Sequence, residues 1–144
     1  IDARRYPLDC CFSMFKQLFA QGQEFTYGLR EAGSYYNSYI KLMDHWDRVL
    51  PGKVLRFNNE DVVEDLENQV SRLLEFLEIP FEEQCISFYE TDRLIRTPSS
   101  EQVRKPVNKD GMGRWKPYAK YLKPLLDVID EDLLKPEDIA YIRG

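Results

Sequence analysis

The sequence predicts an α/β fold that is mostly helical and carries a few short parallel strands. Three observations predict it. The chain opens on a strand-like segment that turns through a proline into an apolar helical stretch. A second strand signal, KVLRFN at 53–58, runs directly into an amphipathic helix, and a long helix lies between the two strands. Strand–helix–helix–strand–helix order is that of an α/β layer with its strands parallel. At 144 residues, with 43% hydrophobic and 31% charged, the chain has the size and balance of one domain with a core of its own.

Taken in order, residues 1–5 (IDARR) fit a short strand closed by the turn YPLD. Pro7 has no N–H for a ladder, and Asp9 is the expected N-cap of the first helix. In CCFSMFKQLFA, residues 10–20, helical spacing puts Cys11, Met14, Phe15, Leu18 and Phe19 on one inner face. Beyond a loop holding Gly22 and Gly28, residues 31–49 read as a long helix with Tyr36, Tyr39, Ile40, Met43 and Trp46 inward. Pro51-Gly52 stops it, and 53–58 alternates as a strand. A single helix is expected from Glu60 to Ile79, with Val62, Val63, Leu66, Val70, Leu73, Leu74 and Leu77 at helical spacing and acids crowding its first turns. Shorter helices are expected over 82–90, 121–129 and 135–143. Pro98, Pro106, Gly111 and Gly113 exclude regular structure over 97–114, and Trp115 is placed to anchor that loop to the core. IDARR reads as the end of a buried strand, so further residues are expected before Ile1.

The charge is uneven. The formal net charge is −5, yet the span 93–123 holds nine Lys or Arg against Glu101 and Asp110, a local +7. That reversal points to an anionic ligand, against the plainer reading of a solvated basic face. Overall acidity excludes a general nucleic-acid binder. No apolar run approaches the ~20 residues that cross a bilayer. Cys10, Cys11 and Cys85 form no disulfide framework and read as buried thiols, which points to a reducing, cytoplasmic setting. One histidine and no C-x-x-C leave no zinc pattern, so no metal is expected.

Two segments carry candidate chemistry. In RYPLDCCFS, Arg5 precedes a helix N-terminus and Ser13 sits in its early turns, a set able to hold an anion; the plainer reading makes Asp9 a simple cap and Arg5 solvated. The basic loop offers Ser99, Ser100, Gln102, Arg104, Lys105 and Arg114, all common phosphate ligands. His45, beside Trp46, reads as structural, Glu60 and Asp61 as caps, and the acids from Asp127 to Asp138 as a solvated face. A Walker-type loop is absent: around Gly52-Lys53, Asp47 stands where its first Gly belongs and Val54 where Ser or Thr belongs.

Together these segments resemble the C-terminal part of the sulfotransferase family, most closely its tyrosylprotein-sulfotransferase-like branch. Arg5, Pro7, Asp9 and Ser13 keep the spacing R-x-P-x-D-x-x-x-S. Ser99, Ser100, Gln102, Val103, Lys105, Pro106, Val107 and Asn108, then Arg114-Trp115, follow the pattern S-[ST]-x-Q-V-x-K-P-V-N with a basic residue and Trp. The resemblance covers residues 1–125 and implies one partial domain over 1–144 of a P-loop-like parallel-sheet fold. Its N-terminal strand and phosphosulfate-binding loop would then precede Ile1.

The resemblance further implies that Arg5 and Ser13 grip the 3′-phosphate of 3′-phosphoadenosine 5′-phosphosulfate (PAPS), and that Ser99 lies at its bridging oxygen. Arg114 would contact the nucleotide, and the basic loop from Arg104 to Arg114 would close over it. The reaction implied is transfer of a sulfuryl group from PAPS to a hydroxyl of a peptide, protein tyrosine included, or of a small molecule. These residues alone are expected not to turn over. Asn59 stands where the family usually has Tyr, and Arg114 where the tyrosylprotein enzymes commonly have Lys. Asn59 keeps open a different reading, a non-catalytic helical interaction module on the same scaffold. A nucleotide kinase of similar fold is disfavoured by the missing phosphate loop.

Overall fold

The computed structural model describes residues 1–19, 21–91 and 102–144. They fall into two units: Ile1–Arg4 with Leu55–Asp110, and Arg5–Val54 with Gly111–Gly144.

In the first unit, β1 (Asp2–Arg4) pairs in parallel with β2 (Arg56–Asn58), with Asp2, Ala3 and Arg4 opposite Arg56, Phe57 and Asn58. Both strands are shorter than expected. The register explains the buried Asp2: its carboxylate accepts from Arg4 Nη2 at 2.7 Å and lies 3.8 Å from Arg56 Nε. A buried carboxylate persists only when so paired.

The single helix expected from Glu60 is instead two, α3 (Asn59–Glu64) and α4 (Leu66–Phe76). The break falls at Asp65, which leaves helical geometry and caps α4 through its carboxylate. One oxygen accepts from the Asn68 backbone N–H at 3.4 Å and the other from its side-chain amide at 2.7 Å. Aspartate favours this local bond over continuing a helix. Glu60 and Asp61 do not cap α3, whose N-terminus has no side-chain cap; they sit in its first turn, where negative charge is favoured. Arg72 on α4 donates to the Arg56 carbonyl and ties α4 to β2. The helix expected over 82–90 is two separate 3-10 turns, Glu83–Cys85 and Phe88–Glu90.

The second unit is built on α1 (Pro7–Lys16), α2 (Leu29–Val49), α5 (Lys123–Leu126) and α6 (Pro136–Arg143). Proline at the first position starts α1 two residues before Asp9, so Asp9 is not its N-cap. The inner face of α1 is Leu8, Cys11 and Phe12, spaced three and four apart. Phe15 and Leu18, expected inside, are 41% and 81% exposed, because α1 ends at Lys16 and its buried stripe lies earlier. Burial pushes the Cys11 thiol far above its ordinary pKa, so it packs as an apolar group, 3.7 Å from the Ala32 carbonyl. Cys10 and Cys85 are only half-buried.

On α2 the buried residues are Ala32, Gly33, Tyr36, Asn37 and Ile40; Trp46, expected inside, is 37% exposed with His45 edge-on to it. Gly33 marks a close approach: a Cβ there would lie 2.8 Å from Leu125 and Val128 side chains. Buried Asn37 is satisfied, donating to the Val128 carbonyl at 2.8 Å and accepting from the Asp130 N–H at 3.2 Å. Leu122, Leu125, Leu126, Ile129 and Leu134 complete the core. Trp115 is 1% exposed, as an anchor should be. No helix among the described residues is long and apolar enough to cross a membrane.

The acids of 127–138 do not form one solvated face. Asp127 is exposed and pairs with Arg30 at 2.7 Å and Lys123 at 3.2 Å, but Asp138 is buried and accepts from the Tyr6 hydroxyl at 2.7 Å. The same hydroxyl accepts from the Lys135 N–H at 3.1 Å, pinning α6 to the start of α1. Burial, with the Asp138 carboxylate adding to it and the Lys135 N–H opposing, holds the Tyr6 pKa well above its ordinary value. Tyr6→Phe should cost about 1–3 kcal/mol, because Asp138 loses its donor. Folding favours the neutral phenol, so this stability is whole below about pH 10 and is lost as pH rises beyond it. The gap in Tm between wild type and Tyr6→Phe should therefore be steady up to about pH 10 and shrink above. A gap unchanged well above that pH would contradict the assignment.

Candidate functional site

The site is assembled at the N-terminus of α1. Arg5 directly follows β1, and its backbone carbonyl accepts from the Tyr36 hydroxyl at 2.6 Å, which fixes the entry to α1 against α2. Its half-buried guanidinium donates from Nη2 to the Gly111 carbonyl. Its Nε is shielded from water and has no hydrogen-bond acceptor among the described residues. A Cβ at Gly111 would stand 3.3 Å from Arg5 Nη2, so the loop backbone lies close against the end of this side chain.

Asp9 is the centre of the arrangement. It is 4% exposed, in the first turn of α1, where the helix dipole favours its charge. Its two oxygens accept from successive backbone N–H groups, Gly113 at 2.9 Å and Arg114 at 3.1 Å. Gly113 has φ +69°, a left-handed conformation that glycine adopts without strain, and there consecutive amides can converge on one anion. Immediately beyond, Trp115 enters the core, and the Tyr118 ring meets the Phe12 ring of α1 with centroids 4.9 Å apart. Segment 111–118 is thus fastened to α1 at Arg5, Asp9 and Phe12.

This fastening brings the Arg114 backbone onto the first turn of α1, with the Arg114 side chain exposed. Ser13 lies one turn beyond Asp9 and is also exposed. Arg5, Ser13 and Arg114 therefore belong to one unit. Arg104 belongs to the other unit, exposed in a 3-10 turn, Gln102–Arg104. Ser99 and Ser100 lie outside the described residues, as do 97, 98 and 101 of the expected irregular loop. Its described part, 102–114, holds only two short 3-10 turns, Gln102–Arg104 and Lys109–Gly111.

Sequence reasoning missed two residues here. Asp9 was expected to cap its own helix, and its partners stand more than a hundred positions away; the only local hint is a proline two residues earlier that already starts the helix. Tyr6, with Asp138, was missed because Tyr6 reads as an ordinary turn residue and Asp138 as one acid of a solvated face.

The family model for the sulfotransferase family matches residues 1–83, a span that contains Arg5, Asp9 and Ser13. An uncharacterized protein of Aquifex aeolicus (strain VF5) is 33% identical over 141 residues, 96% of this chain. The chain spans 18% of the length of that relative.

Asp9→Ala leaves two loop amides without their charged acceptor and should destabilise the protein by about 2–3 kcal/mol. Hydrogen exchange at Gly113 and Arg114 should accelerate more than at the core amides of Leu125 and Leu126. Unchanged exchange at those two amides would show that Asp9 does not hold the loop.

Proposed function

The chain belongs to the sulfotransferase family, and on that premise we propose that it supplies the nucleotide grip of an enzyme that transfers a sulfuryl group from PAPS to a hydroxyl acceptor. The observation that carries the reading is that Asp9 holds the Gly113–Arg114 backbone at the first turn of α1 while Arg5 donates to Gly111 of the same loop. Arg5 and the loop that bears Arg114 are then both held at the start of α1, which offers a phosphate two cations.

Arg5 fits that role. In the free protein it rests on the neutral carbonyl of Gly111 with its Nε unsatisfied. A phosphate offers two charged acceptors in the plane of the guanidinium, a stronger and better-matched partner than one carbonyl. Arg5 would turn onto the 3′-phosphate, the Ser13 hydroxyl would donate to it from the exposed face of α1, and Arg114 would meet the nucleotide from the loop. Ser99 would stand at the bridging oxygen and Arg104 would add positive charge as the basic loop closes.

In the reaction the acceptor oxygen forms a bond to sulfur while the bond from sulfur to the bridging oxygen breaks. The acceptor's proton leaves with a base, and adenosine 3′,5′-bisphosphate departs with the electron pair. Such a transfer depends on positioning and on cations that offset charge growing on the leaving phosphate. The acceptor is a peptide or small-molecule hydroxyl, with protein tyrosine one member of that class.

Calorimetric titration of the chain with adenosine 3′,5′-bisphosphate tests the grip. Binding is expected, and Arg5→Ala should weaken it by about 1.5–3 kcal/mol as a lost charged hydrogen bond. No binding by the wild-type chain, or an unchanged affinity in Arg5→Ala, would place the nucleotide elsewhere.

A further inference from the structure

The second unit also exposes basic and apolar side chains other than Arg5, Ser13 and Arg114 of the nucleotide grip. Stretches 10–23 and 111–126 contain no Asp or Glu, although the chain as a whole is acidic, and outside the grip they hold Lys16, Lys116 and Lys120, with Lys123 paired to Asp127 at their edge. The ring contact of Phe12 with Tyr118 joins the two stretches. Around that contact Leu18 is 81% exposed, Tyr121 61%, Tyr118 49% and Phe15 41%. Tyr118 and Tyr121 fall three apart in the 3-10 turn Lys116–Tyr121, which stacks them on one row.

The lysines lie along this apolar surface. Lys16 Nζ sits 5.1 Å from the Phe12 ring centroid and Lys120 Nζ 4.9 Å from that of Tyr121. An ammonium group over a ring face is a cation–π contact, and it keeps positive charge directly beside the apolar side chains.

We propose that this face docks on the surface of an anionic lipid bilayer. The charge is complementary to acidic headgroups, and lysines close to such a surface each strengthen binding. Leu18, Phe15 and the two tyrosines would enter the headgroup boundary, where aromatic rings with a polar tip are favoured. A soluble acidic polypeptide would satisfy the lysines and leave these apolar groups in water, so the bilayer accounts for more of the face. The site class is peripheral docking, with no segment crossing the membrane, and it is independent of the nucleotide reading.

The test is sedimentation of the chain with vesicles of equal parts phosphatidylglycerol and phosphatidylcholine, and with phosphatidylcholine alone. Binding is expected only to the first, and it should weaken at high salt. The double variant Lys16→Glu/Lys120→Glu should lose about thirtyfold or more in partitioning, and Leu18→Ser/Tyr121→Ser about tenfold. All four positions are on the surface, so circular dichroism should show both variants folded. Inorganic phosphate at millimolar concentration should not displace the protein. Failure to bind anionic vesicles would overturn the proposal. So would full binding by Leu18→Ser/Tyr121→Ser, or equal binding to polyglutamate, since either makes the face a site for a soluble polyanion.

Discussion

The carboxylate of Asp9 is the constraint on which the rest of the site depends. A buried carboxylate must be satisfied, and here its partners are two adjacent amides from a loop over a hundred residues away. Only a left-handed residue lets both amides turn to it, and Gly113 supplies that conformation. Once the loop is held there, Trp115 reaches the core and Tyr118 reaches Phe12. The irregular segment before α5 is thereby fixed at its end with few regular hydrogen bonds of its own.

The same contact sets the electrostatics. Asp9 neutralises the positive end of α1 and the two loop amides, so the helix start itself is largely spent on holding the loop. The side chains that the proposed grip would use are Arg5, half-buried, and the exposed Arg114 and Ser13. An anion-binding role then falls to side chains positioned by α1 more than to the helix terminus. This differs from what a proline-led helix start after an arginine implies by itself, and it assigns the aspartate a positioning role.

Much of this was legible in the sequence, for physical reasons that also mark where legibility ended. The two strands and the long α2 show through alternation and helical spacing, and Trp115 shows as the one large apolar residue closing a polar loop. The spacing of Arg5, Pro7, Asp9 and Ser13 pointed to a segment that lies within the residues matched by the sulfotransferase family model. Partners distant in sequence did not show: Asp9 with Gly113 and Arg114, and Tyr6 with Asp138, are made by tertiary packing and leave no local pattern. The break at Asp65 was readable from its capping chemistry but was hidden by an apolar spacing that continues on both sides. Phe15 and Leu18 matched a helical face by period, yet the helix ends before that face is used.

The central claim is that Asp9 acts on ligand binding through the loop that bears Arg114, and a double-mutant cycle measures that directly. Affinity for adenosine 3′,5′-bisphosphate would be determined for wild type, Asp9→Asn, Arg114→Ala and the double variant. If Asp9 positions Arg114, the two losses overlap, and the coupling should be about 1 kcal/mol, within the range of residues that share one network. Strictly additive losses would contradict the account, because they would mean that the loop presents Arg114 to the nucleotide without help from Asp9.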